Sequence, residues 1–172
     1  GIPFAGASGG ELTKMLGEAG LMRAQCFLTN VARTKPPGGD IEQFIAARKA
    51  DVTPRHRPFQ DKQCTPEIHD GIALLQQEIA MCQPNVIIAC GNVALWALTG
   101  NWGITSWRGS ELECTLPVNL DYRPKVIPIY SPAGVLRQWK WRPIVVQDLR
   151  RVAREAQSRE LIRPDYRFII RP

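Results

Sequence analysis

Apolar residues recur at helical spacing along much of the chain. The pattern predicts helices over residues 8–19, 40–50, 66–82, 92–98 and 143–159. The clearest is 66–82, where apolar side chains at positions 68, 72, 75 and 79 share one face. Ser8 is expected to cap the first helix, because Glu11 follows three residues later in a capping-box pattern.

Short, continuous apolar runs lie between these helices. They predict buried strands over residues 25–30, 85–90 and 126–130, and loops over 51–65 and 100–109. The final segment, DYRFIIRP, fits either an edge strand or a tail. Because strands alternate with helices, we expect a single α/β domain over residues 1–172. Its fold should be a three-layer α/β/α sandwich around a mainly parallel sheet.

The composition agrees with one globular domain. Of the 172 residues, 44% are hydrophobic and 22% are charged, which excludes a disordered or coiled-coil protein. No apolar run approaches the roughly 18 residues that a membrane span needs, so no membrane partner is expected. The formal net charge is +6, and residues 137–171 hold ten basic side chains against four acidic ones. That excess suits a polyanionic partner and equally a solvated surface.

The cysteines and histidines do not form a pattern that binds metal. Five cysteines lie at positions 26, 64, 82, 90 and 114, and the histidines number two. The cysteine count is odd, and the sequence contains no CxxC pair. The cysteines and histidines also do not cluster at the spacing of metal ligands. We therefore expect free thiols in the reducing cytoplasm, no metal and no other cofactor.

Three predicted strands end in small or polar residues. These are Asn30, the pair Gly91–Asn92, and Ser131. In a parallel sheet the ligand site lies at the carboxyl ends of the strands, so these residues should meet there. The segments concerned, in chain order, are GIPFAGASGGEL, FLTNVARTKPP, VIIACGNVALWALTG and VIPIYSPAGVLRQWKWRP.

Taken in this order, the four segments resemble the uracil-DNA glycosylase superfamily, most closely its family 4-like and phage-associated members. The likeness extends over residues 1–155. It implies a central four-stranded, mainly parallel sheet. It also implies an enzyme that flips a base out of DNA and cleaves the N-glycosidic bond of that base.

The resemblance assigns the base pocket to Phe4, Gly6 and Asn30. Phe4, in a tight loop with Gly6, would stack on the flipped base, and the Asn30 amide would read a pyrimidine edge. Asn30 and Ser131 are the catalytic candidates. Ser131 stands where the family has a histidine that stabilises the negative charge on the departing base. The alternatives are loop packing for Phe4 and turn capping for Asn30 and Ser131.

The same resemblance assigns DNA contacts to two helix starts and one loop. At the helix starts, Ser8, Gly91 and Asn92 would lie beside phosphates. In the loop, Val135 and Leu136 would form an apolar wedge that fills the space left by the flipped base, and Arg137 would contact a phosphate. Trp139 and Trp141 alternate with basic residues, which suits stacking on nucleic acid; half-buried packing is the alternative.

Three features depart from the family pattern. Ser131 replaces the histidine, which implies a slower enzyme or a changed substrate. Thr34 stands where family 4 has a cysteine that binds an iron–sulfur cluster, so the resemblance implies no cluster here. The family's first strand, with the residue that positions water, is expected upstream of Gly1.

The leading hypothesis is a monomeric DNA N-glycosylase that removes uracil or a modified pyrimidine from duplex or single-stranded DNA, in a bacterial or phage-infected cell. A second hypothesis is a DNA-binding domain of the same fold, associated with phage replication, with weakened or lost catalysis. A third is a glycosylase directed at hypermodified phage cytosine or uracil, in defence. The replacement at Ser131 favours the second and third hypotheses over ordinary uracil repair.

Overall fold

The structure is a computed structural model, and it describes residues 3–162. Its α-helices are α1 (Ala7–Glu18), α2 (Pro66–Cys82), α3 (Asn92–Thr99), α4 (Ile104–Trp107), α5 (Pro132–Arg137) and α6 (Arg142–Glu155). Its strands are β1 (Arg57–Phe59), β2 (Lys62–Cys64), β3 (Val86–Cys90), β4 (Leu112–Glu113) and β5 (Lys125–Ile129). The helices predicted at 8–19, 66–82 and 92–98 are confirmed to within one residue. α6 ends four residues before the predicted end.

The central sheet has three strands in the order β3–β5–β4. β3 and β5 are parallel, and their last residues, Cys90 and Ile129, lie opposite each other. The short β4 pairs with β5 in the antiparallel direction. Within residues 3–162 the sheet is therefore mixed and three-stranded, so the expected four-stranded, mainly parallel sheet is not confirmed.

Helices cover both faces of the sheet, which confirms the three-layer α/β/α arrangement. On one face, α1 and α6 pack Leu16 and Leu149 against Ile127 of β5. On the other face, α2 and α3 form a second core around the fully buried Trp96. Apolar faces on both sides of β5 are thereby removed from water, which is the main stabilising contribution to such a fold.

The strand predicted over residues 25–30 is not formed. Residues 26–30 have no regular structure and pair with no strand of the described chain. In the described part of the chain, β3 is an edge strand that also has no partner on its outer side. Its first three residues are only half-buried, whereas every residue of β5 is buried. Both segments line the same cleft. An apolar run becomes a strand only where a neighbour takes up its backbone hydrogen bonds, and the described chain supplies none here.

The helix predicted over residues 40–50 is wrong, and the predicted loop over 51–65 contains the β1–β2 hairpin. Only short 3-10 turns form in the first segment. Between them, Ile45 bridges Cys64 of β2, and the Ala46 amide donates to the carbonyl next to that bridge. Pairing with β2 therefore satisfies backbone groups that a helix would have satisfied internally, and it buries Ile45.

Two local expectations about helix starts also change. α1 begins after Gly6, which is the N-cap, so Ser8 lies in the first turn and caps nothing. Residues 133–137, expected to be a loop, belong to α5, and Ser131 is the N-cap of this helix. The DYRFIIRP segment lies outside the described residues. Across residues 3–162, none of the helices has the length and apolar character needed to cross a membrane.

Candidate active site

One cleft gathers most of the site residues predicted from the sequence. It runs along β3 to the carboxyl ends of β3 and β5 and has a volume of about 1540 Å³. The predicted residues that line it are Phe4, Ser8, Asn30, Gly91, Asn92, Ser131 and Arg137. Parallel pairing of β3 with β5 accounts for part of this convergence, because the residues that follow both strands emerge at the same sheet edge.

The loop that carries Phe4 is held tightly against α1. Phe4 has a φ of 52°, and a Cβ atom on Gly9 would lie 1.6 Å from the Phe4 carbonyl oxygen, so only glycine permits this approach. Arg23 clamps the loop by donating from Nη2 to the Phe4 carbonyl (3.2 Å) and from Nη1 to the Gly9 carbonyl (3.0 Å). Sequence reasoning missed Arg23, and no local pattern marks it. Gly6 is exposed and does not line the cleft.

Asn30 lies exposed at the cleft between two anchored neighbours. Thr29 donates from Oγ1 to Glu78 Oε2 at 2.7 Å, and Arg33 donates from Nη2 to the same oxygen at 2.5 Å. No pattern in the sequence marks Arg33 or Glu78 as a site residue. Glu78 belongs to α2 and lies 45 residues from Arg33 along the chain, so only the fold brings them together.

Ser131 and Gly91 touch where the two parallel strands end. A Cβ atom on Gly91 would lie 3.3 Å from the Ser131 Cβ, and Gly91 has a φ of 91°. The Ser131 Oγ accepts a hydrogen bond from the Gly134 amide at 3.0 Å, as the N-cap of α5. This bond occupies an oxygen lone pair and leaves the hydroxyl hydrogen able to donate to a ligand. Turn capping and donation are therefore compatible at this residue.

The amide of Asn92 is engaged inside the protein. Its Oδ1 accepts from the Ile104 amide at 2.8 Å, and its Nδ2 donates to Glu42 Oε1 at 3.0 Å. A phosphate contact through this side chain would have to replace those bonds. The backbone N–H groups of the first turn of α3 have no intrahelical partners and are better placed for that role.

Sequence comparison places the chain in a known family. The family model described as "Uracil DNA glycosylase superfamily" matches residues 1–152. The chain belongs to this superfamily.

Similar curated proteins of the superfamily include several named Type-4 uracil-DNA glycosylase. That of Archaeoglobus fulgidus is 27% identical over 157 residues, covering 88% of this chain and 67% of the relative. That of Thermotoga maritima is 31% identical over 153 residues, covering 87% and 66%. That of Sulfurisphaera tokodaii is 27% identical over 177 residues, covering 96% and 67%. The chain thus spans about two thirds of the length of these relatives.

Only one of the two residues predicted to form an apolar wedge is exposed. Val135 is fully buried in the core, so it cannot reach DNA, and its assignment to the wedge is corrected. Leu136 is 44% exposed and Trp139 is 58% exposed, next to the exposed Arg137. Trp141 stacks on Tyr130 with 4.2 Å between ring centroids, which is packing rather than a free stacking surface.

The described residues do not fit the iron–sulfur cluster of family 4. Thr34 offers a hydroxyl in place of a thiolate. No group of three or more cysteine, histidine, aspartate or glutamate residues within positions 3–162 is arranged to hold a metal. Burial raises the pKa of Cys90, which lines the cleft, to about 12, so this thiol is neutral at physiological pH. That the protein binds no cluster stays a prediction.

Proposed function

We propose that the chain is a DNA glycosylase that excises uracil from DNA. In this reaction the bond between C1′ of the deoxyribose and N1 of the base breaks. The hydroxide part of a water molecule joins C1′, and the proton goes to the departing base. The observation that carries the proposal is the single cleft that Phe4, Asn30 and Ser131 all line. Membership of the superfamily and the names of the relatives support it.

Phe4 and Asn30 would divide base recognition between them. The ring of Phe4, fixed by Gly9 and Arg23, would stack on the flipped base. An asparagine amide can both donate and accept, which matches the neighbouring O4 and N3–H groups of uracil. Cytosine reverses both of these polarities, so one fixed amide orientation would discriminate between the two bases.

Ser131 would donate a hydrogen bond to the departing base. Cleavage builds negative charge on the base, and a donor near O2 stabilises that charge. A hydroxyl carries no charge and cannot act as a general acid at neutral pH. We therefore expect slower excision than an enzyme with histidine at this position would achieve.

A second candidate is a glycosylase for a substituted pyrimidine, and the size of Ser131 favours it. Serine occupies less space than histidine beside Gly91, so the pocket could admit a larger base such as a modified phage cytosine or uracil. The remaining candidate, a DNA-binding domain of phage replication without chemistry, leaves Phe4 and Asn30 without a role at the cleft.

The proposal is tested by comparing Asn30→Ala with Arg137→Ala on uracil-containing oligonucleotides. Asn30→Ala should lower excision by about 10²-fold or more, because the base loses a fixed polar partner. Its affinity for uracil-free DNA should be nearly unchanged, because phosphate contacts supply most of that affinity. Arg137→Ala should instead weaken binding and reduce the salt slope by about one unit. Lys49→Ala, an exposed cation outside the cleft, is the matched control.

Ser131→His distinguishes the candidates. If uracil is the substrate, the added donor should raise excision of uracil. If a bulky pyrimidine is the substrate, the imidazole should abolish excision of glucosylated cytosine by filling the pocket. Wild-type protein that forms no abasic sites with uracil, hydroxymethylcytosine or glucosylated cytosine would overturn the proposal of an enzyme and leave the DNA-binding domain.

A further inference from the structure

We propose that Glu78 of α2 is a positioning residue that holds Asn30 in its base-reading orientation. This inference rests on the proposed function, because it assumes that Asn30 reads the base. Glu78 itself need not touch the base or the reacting atoms, and it is not assigned a catalytic role.

The carboxylate of Glu78 ties together both sides of Asn30. One oxygen, Oε2, accepts hydrogen bonds from Thr29, which immediately precedes Asn30, and from Arg33, which follows it by three residues. The side chains of Glu78 and Arg33 are 23% and 32% exposed, so the ion pair is only partly screened by water. The side chains of Thr29 and Arg33, on either side of Asn30, are therefore both bound to one carboxylate oxygen of a residue in α2.

A second contact on the same face of α2 holds the same segment. A Cβ atom on Gly71 would lie 1.8 Å from the Val31 carbonyl oxygen, so the helix backbone packs directly on the residue after Asn30. Gly71 and Glu78 are seven residues apart, which places them two turns apart on one helix face. Val31 and Ala32 are accordingly buried, whereas Asn30 is exposed.

Within the described chain, the contacts with α2 are what hold this segment in place. Residues 26–30 pair with no strand of the described chain, so backbone hydrogen bonds do not fix the direction of Asn30. Polar side chains that must bind with sub-ångström accuracy rely on neighbours that lock them in place. α2, through Glu78 and Gly71, supplies that support from outside the sheet.

The first test is Glu78→Gln, assayed for uracil excision and for binding to uracil-free DNA. The amide keeps the size of the side chain but loses the charge that serves both donors, and charge-assisted bonds are about twice as strong as neutral ones. We expect kcat to fall by roughly 10-fold to 100-fold, since a misplacement of about 1 Å can cost 10²-fold. We expect the affinity for uracil-free DNA to stay within about 2-fold. Glu78→Asp should restore part of the activity.

The matched control is Glu67→Gln. Glu67 also belongs to α2 and forms an ion pair, with Arg55 at 2.7 Å, but it does not line the cleft. It should leave kcat and uracil selectivity unchanged. An equal loss of kcat in Glu67→Gln and Glu78→Gln would mean that Glu78 acts through helix stability alone, and the proposal would be wrong.

A double-mutant cycle with Asn30→Ala tests whether Glu78 acts through Asn30. If it does, Glu78→Gln should cost almost nothing in kcat once Asn30 is alanine, so the two effects should be far from additive. Additive effects would overturn the proposal while leaving the glycosylase assignment intact.

Hydrogen exchange on DNA-free protein separates this inference from the proposed function. Glu78→Gln should speed amide exchange at the buried Val31 and Ala32, whereas Glu67→Gln should not. Unchanged exchange there would refute the anchoring role even in a fully active enzyme. Faster exchange in a protein that excises no base would uphold the anchor and reject the activity.

Discussion

Replacing Gly9 with alanine should dislodge the loop that presents Phe4. The new Cβ would lie 1.6 Å from the Phe4 carbonyl oxygen and 2.3 Å from its carbon, where ordinary contacts begin at 3.4 Å. The loop would have to retreat by roughly 1.8 Å, which would break the hydrogen bond from Arg23 to the Phe4 carbonyl. Displacement on this scale should lower excision by about 10²-fold, because stacking and alignment of the base are lost together.

Gly10→Ala is the matched control for Gly9→Ala. Both glycines lie in the first turns of α1, but a Cβ on Gly10 would meet nothing within 4 Å. Alanine is favoured over glycine in a helix by about 1 kcal/mol, which corresponds to a rise in Tm of roughly 2–4 °C for a chain of this size. Overpacking at Gly9 should instead cost about 1–3 kcal/mol and lower the Tm.

The assay is abasic-site formation on a uracil-containing single strand, with the Tm measured on the same preparations. A Gly9→Ala protein that melts lower and excises slowly, beside a Gly10→Ala protein that melts higher and excises normally, fits the reasoning. If the two variants excise uracil at the same rate, the close approach of Gly9 to Phe4 does not shape the pocket.

Two further predictions concern stability. Arg142→Ala should lower the free energy of unfolding, measured by urea titration, by about 3 kcal/mol, because it leaves a buried carboxylate without its partner. Glu11 is only 6% exposed, and its Oε1 accepts from Arg142 at 2.6 Å. The control Arg48→Ala breaks an exposed ion pair and should cost under about 1 kcal/mol. Burial raises the pKa of Cys64 to about 11 and the pKa of Cys90 to about 12. Above about pH 9 the folded state therefore binds more protons than the unfolded state, so the free energy of unfolding should fall as the pH rises further. Urea titrations of wild type and Cys90→Ala should show a shallower fall in the variant.

The sequence by itself determined the elements whose apolar residues recur at the spacing of a helix or a buried strand. α2 spans the predicted 66–82 because its apolar residues fall on one face whatever it packs against. β3 and β5 were predicted because five consecutive apolar or small residues suit a strand buried on both faces. The order of the strand-end motifs was enough to suggest the superfamily, and with it the cleft that Phe4, Asn30 and Ser131 line.

Only the tertiary structure decided which partner each segment meets. Among residues 3–162, the apolar run at 25–30 meets no neighbouring strand, so it does not form a strand. The segment around Ile45 pairs with β2 and therefore does not form a helix. The clamp by Arg23 and the anchor by Glu78 join residues far apart in the chain. The spacing of apolar residues along the chain indicates which face of a helix or strand is buried. Hydrogen bonds and close approaches depend on what the fold places opposite, and that is not encoded at any single position.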